Sequence, residues 1–167
     1  MADLTIALAG NPNAGKTTIF NALTGLHQHT GNWPGKTVEK KEGEIVQGEL
    51  RITIVDLPGT YSLSAYSPEE IIARDFIIQG QPDAVINVVD ATNLERNLYL
   101  TVQLLELDVP VILALNMADA LKKDGARINI DNLSELLGNI PVIQTAANHG
   151  TGISELLTKA VHAAREN

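Results

Sequence analysis

The chain has 167 residues, no cysteine, and a formal net charge of −8 from 12 basic and 20 acidic side chains. That length suits one domain with a substantial core, and 44% hydrophobic residues exclude wholesale disorder. The lack of cysteine excludes a disulfide framework or a thiolate metal site. The acidic balance disfavours nucleic acid and anionic lipid as partners, no apolar run reaches the length of a membrane span, and Met1-Ala2-Asp3-Leu4 has no basic region of the kind that opens a secretory signal.

Residues 4–9 are an apolar run that reads as a buried strand. Gly10-Asn11-Pro12-Asn13-Ala14-Gly15-Lys16-Thr17 follows and fits the phosphate-loop pattern of a Gly, four variable residues and Gly-Lys-Thr. Its glycines let the backbone approach a polyphosphate, and its N–H groups form an anion nest. Residues 17–23, starting with Thr17 and Thr18, read as a helix whose positive N-terminus faces the same anion. In this setting Lys16 reaches the β- and γ-phosphates and the Thr17 hydroxyl ligates Mg²⁺. Gly25 is the expected helix stop.

Residues 27–37 lack periodicity and read as a loop of functional length. Residues 44–47 and 51–55 then read as a strand pair, the expected antiparallel edge of the sheet. Asp56-Leu57-Pro58-Gly59 ends the second of these strands. There Asp56 holds Mg²⁺ through a water and the Gly59 N–H meets the γ-phosphate, or the segment is a plain turn of turn-forming residues. Ser67-Pro68-Glu69-Glu70 marks a helix start with an apolar side of Ile71, Ile72, Phe76 and Ile77.

Residues 84–89 are a central strand, and Thr92 with Glu95 reads as a capping box for a helix with a Leu94, Leu98, Val102, Leu105 stripe. Residues 109–115 are the next buried strand and end in Asn116-Met117-Ala118-Asp119. A carboxylate at Asp119 can accept both N1–H and the exocyclic N–H of guanine, which adenine cannot offer; a capped turn is the alternative. Residues 131–137 read as a short helix, residues 141–144 as the last strand, and the closing helix carries Ile153, Leu156, Leu157, Ala160, Val161 and Ala164 on one face. Strands alternating with helices predict an α/β domain with a mostly parallel six-stranded sheet, one antiparallel edge strand and helices on both faces.

The order of motifs resembles the small GTPase domain, Ras-like in fold, of the translation-factor-related class. Gly10-Asn-Pro-Asn-Ala-Gly-Lys-Thr-Thr18, Gly31-Asn-Trp-Pro-Gly-Lys-Thr-Val-Glu-Lys-Lys-Glu-Gly43, Asp56-Leu-Pro-Gly-Thr-Tyr-Ser-Leu63 and Asn87-Val-Val-Asp-Ala-Thr-Asn-Leu-Glu-Arg-Asn-Leu-Tyr-Leu100 narrow it to the ferrous-iron transport protein B family. The resemblance implies a GTP/GDP-binding, slowly GTP-hydrolysing domain over 1–167. It further implies that the domain lies on the cytoplasmic side of the inner membrane, with a helical domain and a membrane domain beyond it in a longer protein. It implies Thr37 as the switch threonine that closes over Mg²⁺ and γ-phosphate, Asn116 and Asp119 as the guanine motif, and Thr145-Ala146-Ala147 as the loop whose backbone contacts the base. It also implies Asn11 as a K⁺ ligand beside the phosphates, so that Lys16, Asn11, Thr37 and Gly59 share the catalytic work.

Two departures follow. Met117 stands where the guanine motif usually has a base-stacking Lys, so weak guanine binding and fast release are expected. Tyr61 stands where Ras-like enzymes have a water-orienting Gln, so hydrolysis is expected to be slow. Trp33 is expected to be exposed in at least one state of its loop. His27, His29, His149 and His162 share no ligand spacing and read as surface residues. The competing readings are a stand-alone GTPase acting on ribosomes or RNA, which the acidic surface disfavours, and a nucleotide sensor without turnover.

Overall fold

The computed structural model describes residues 2–167. The strands are β1 (Ala2–Gly10), β2 (Gln28–Asn32), β3 (Glu39–Gln47), β4 (Leu50–Asp56), β5 (Ala84–Asp90), β6 (Val111–Asn116) and β7 (Val142–Gln144). The helices are α1 (Lys16–Thr24), α2 (Pro68–Gln79), α3 (Leu94–Leu105), α4 (Ala118–Lys123), α5 (Ile130–Leu136) and α6 (Ile153–Glu166). All strands lie in one sheet of order β2-β3-β4-β1-β5-β6-β7. From β4 to β7 the pairs are parallel, and β3 pairs antiparallel to both β2 and β4.

Strand periodicity divides the core. Ile6 and Leu8 point to one face with Ile52, Ile54, Ile86 and Ile112, under α1 and α6. Ala7 and Ala9 point to the other with Val55 and Val85, under α2 and α3. A third cluster joins Val89, Leu113 and Leu115 to Leu133 of α5. Each fully buried Leu or Ile contributes about 1.5–3 kcal/mol. Covering both faces is what β5 and β6 require, since they are buried almost throughout and have no polar side to turn outward.

The sheet has seven strands rather than the expected six. The added one, β2, lies in the stretch read as a loop at 27–37. Its sequence Gln-His-Thr-Gly-Asn is polar and exposed, so it pairs with β3 through its main chain and leaves no apolar alternation to find. The β2–β3 connection closes with Lys36 N–H donating to Trp33 O, with Pro34 and Gly35 (φ +70°) between them, as a type II turn requires.

Trp33, expected to be exposed in at least one state of its loop, is buried in this structure. Its ring meets Phe76 of α2 edge-on at 5.6 Å, and the Lys40 ammonium lies 4.8 Å from its centroid. The capping box at Thr92 and Glu95 does not form. Instead Asp90 accepts from the Thr92 N–H and hydroxyl, capping a 3₁₀ turn over Ala91–Asn93, and α3 starts after Asn93 without a side-chain cap. The α3 stripe is shifted: Asn97, Leu100, Thr101 and Leu104 are buried and Val102 is half exposed. Hydropathy does not anticipate this, because Asn97 and Thr101 face inward to bond Asp90 N and Asn87 Oδ1. The α2 start is as read, with Ser67 Oγ accepting from Glu70 N–H and Pro68 in the first turn.

Candidate functional site

The first strand sits in the middle of the sheet between two parallel neighbours; α1, which follows it, covers one face, and α2 and α3, which follow those neighbours, cover the other. Its carboxyl end is therefore a topological switch point, where such sheets bind ligands. Register brings the other candidate segments to the same end: Leu8 pairs with Asp56, Gly10 with Val88, and Asp90 with Asn116.

The loop from Gly10 turns into α1, and a cavity of ≈ 460 Å³ opens over it. Asn11, Pro12, Asn13, Gly15, Lys16, Thr17, Gly59 and Met117 line that cavity. Lys16 is buried and forms an ion pair with Asp56, which is also buried. Gly59 backs onto Pro12, and the next residue is pinned down, Thr60 N–H donating to Gly10 O at 3.0 Å. Thr17 and Thr18 are exposed on the first turn of α1, while Ala14 is buried beneath it.

Asn116 joins this loop to the far side of the site. Its Nδ2 donates to Ala14 O at 3.0 Å, and its Oδ1 accepts from Thr145 Oγ1 at 3.0 Å and Ala147 N at 3.2 Å. Gly15 is what lets the amide in: its φ is +93°, and a Cβ there would lie 2.1 Å from Asn116 Nδ2. Ala118 N–H donates to Thr145 O at 3.2 Å, so the segments after β6 and β7 lie side by side. Met117 caps α4 in the left-handed region, φ 61°, and reaches the loop cavity. Asp119, in the first turn of α4, has His149 Nε2 at 3.2 Å from its Oδ2.

Thr37 is the candidate that the fold does not gather in. It is exposed between β2 and β3 and is absent from the lining of the loop cavity. Three pairings enter that the sequence reading did not draw. Arg96 of α3 lies 4.4 Å over the Tyr61 ring, His149 meets Asp119, and the pair Asn87–Thr101 braces β5 beneath the loop. All three depend on contacts between distant segments, which no local spacing reveals.

The donor set fits a nucleotide and its cations. Asn11 is 4% exposed, yet neither its Oδ1 nor its Nδ2 has a hydrogen-bond partner. A buried amide with neither atom bonded is costly, and a cation and a phosphate beside it would supply the missing partners. It also lines a second, polar cavity of ≈ 140 Å³ with Tyr61, Asp90, Asn93, Arg96 and Asn97. Among the described residues no group of three or more His, Cys, Asp or Glu could hold a metal alone. Thr17 and Asp56 fit a Mg²⁺ that takes its remaining ligands from phosphate and water.

A mostly parallel, doubly covered sheet with a Gly-Lys-Thr loop at its switch point defines a Ras-like phosphate-loop nucleotide-binding domain. Residues 4–160 match the family described as ferrous iron transport protein B. The Fe(2+) transporter FeoB of Escherichia coli (strain K12) is 56% identical over 160 residues, and that of Salmonella typhimurium is 54% identical. Each match covers 93% of this chain but 21% of the relative. Among solved structures, the FeoB G-domain of Methanococcus jannaschii has 49% identity and a TM-score of 0.87, with 99% of both chains covered. The cytosolic domain of T. maritima FeoB in a GDP form has 48% identity and a TM-score of 0.94, covering 99% of this chain and 65% of that one. A mutant of S. thermophilus NFeoB bound to mGDP has 52% identity and a TM-score of 0.91, covering 96% and 61%. The chain belongs to the ferrous iron transport protein B family, and it corresponds to the G domain of those relatives.

Proposed function

We propose that this domain binds guanine nucleotide with Mg²⁺, hydrolyses GTP slowly, and serves as the nucleotide switch of a ferrous-iron transporter. The observation that carries the reading is Asn116, one amide tying the phosphate loop to the segment after β7. Those are the two segments a guanine nucleotide has to touch at once. In this account the backbone of Gly10, Asn13, Ala14, Gly15 and Thr18 cradles the phosphates and Asp119 accepts from guanine. Met117 packs on the base, and Thr145, Ala146 and Ala147 approach it from the other side.

Lys16 exchanges its carboxylate partner for the β- and γ-phosphates, which frees Asp56. Thr17 and Asp56, joined by Thr37 once its loop closes, would hold Mg²⁺, and a cation there neutralises phosphate charge. Asn11 would hold K⁺, which offsets the charge that develops in the transition state as an arginine finger does. The Gly59 N–H meets the γ-phosphate. Tyr61 has no amide to orient water and its ring lies under Arg96, so turnover is slow.

The relatives' names support the wider setting. We place the domain on the cytoplasmic side of the inner membrane, beside a helical domain and a membrane-spanning domain that carries iron, with no nucleic-acid partner. No helix among the described residues is long and apolar enough to cross a membrane. A sensor that binds without turnover is the second reading, favoured by the exposed Thr37 and by Tyr61.

Equilibrium binding of GDP against ADP, with phosphate release from GTP, tests the proposal. GDP binding well above ADP, lost in Asp119→Ala, together with release above background, is expected. Equal binding of ADP would overturn the guanine assignment, and background release would leave the sensor.

A further inference from the structure

We propose that His149 is a latch on the guanine-reading carboxylate: it pairs with Asp119, and that pair must open before the base can bind. This rests on the guanine reading of Asp119 above. The two side chains come from different segments. Asp119 lies in the first turn of α4, and His149 ends the 3₁₀ turn Ala147–His149 after β7. His149 Nε2 stands 3.2 Å from Asp119 Oδ2, one of the two oxygens that guanine would engage.

The backbone around the latch is fixed. His149 N–H donates to Ala146 O at 2.9 Å, and Thr151 pairs back to Ala146. The root of the turn is held by Asn116 through Thr145 and Ala147. The imidazole itself is not held: the side chain is 63% exposed, while that of Asp119 is 32% exposed. The side chain can therefore swing aside while its backbone stays in place. A single N–H donor is also a weak rival for a carboxylate that guanine meets with two. Guanine displaces the latch, and the latched fraction lowers the apparent affinity without touching the bound complex. An exposed pair of this kind shifts an equilibrium by about two- to fivefold.

Stopped-flow association and dissociation of GDP and ADP, for wild type, His149→Ala and His149→Gln, tests this. The latch predicts that His149→Ala associates with GDP about two- to fivefold faster, with its dissociation rate unchanged. The Gln variant, whose amide still offers N–H to Asp119, should stay closer to wild type. A His149→Ala association rate equal to wild type would overturn the latch. So would faster dissociation, which would make His149 a support for the bound base. Failure of the wild type to prefer GDP over ADP would instead strike the guanine reading on which the latch depends.

Discussion

Asn116 engages both ends of its amide on protein partners, donating to Ala14 O and accepting from Thr145 and Ala147. Asn116→Ala would leave those groups unpaired in a buried place, at about 1–3 kcal/mol. A fall of that size in urea stability is expected, with a larger loss of GDP affinity, because both walls of the site lose their common tie. Asn116→Asp should also lose affinity, since it sets an oxygen against Ala14 O. A Cβ at Gly15 meets the same amide, so Gly15→Ala should reproduce the binding defect. The sequence reading assigns Asn116 to the guanine motif and does not reach its tie to the phosphate loop, because Ala14 lies 102 residues away. The phosphate loop is legible because its chemistry is local, whereas the Lys16–Asp56 and His149–Asp119 pairs are not, for want of any spacing that joins them.

At the scale of elements, the start of α2 gathers three serines on one carboxylate. Ser64 and Ser62 hydroxyls donate to Glu70, and with Ser67 they hold its carboxyl below the usual range. A carboxyl depressed in the folded state adds stability above its unfolded pKa, and that stability is lost as pH falls through the folded value. Glu70→Gln should therefore lower the melting temperature at neutral pH and flatten the acid limb, read by thermal unfolding from pH 7 to 3. The β2–β3 turn makes a second case. Trp33 packs on Phe76 with its indole N–H buried and without a partner. Trp33→Ala should cost up to about 3–5 kcal/mol. Trp33→Phe removes area but also an unpaired donor, and should stay within about 1 kcal/mol of wild type. The α2 cap is readable because Ser, Pro and Glu act within one turn. The β2 strand and the α3 face are not, since one pairs only through its backbone and the other buries Asn97 and Thr101.

Across the whole molecule, a central first strand sets the phosphate loop at the switch point, and parallel register delivers Asp56, Asp90 and Asn116 to the same edge. That layout is readable in outline from alternating strands and helices, although the sheet gains an edge strand. What the fold adds is a set of pairings among the site's charged side chains. Lys16 holds Asp56, His149 holds Asp119, and Arg96 lies over Tyr61. On the proposed function, nucleotide binding exchanges the first two, and the switch would be the difference between the two sets of contacts. Asn11 is the exception, buried and without partners. The most direct measurement is phosphate release from GTP and ATP, in K⁺ and in Na⁺, for wild type and Asn11→Ala. The account predicts slow turnover of GTP over ATP that is faster in K⁺, with the cation preference lost in the variant. Equal rates in both cations would remove the role given to Asn11, and equal use of ATP would contradict the guanine site built on Asn116 and Asp119.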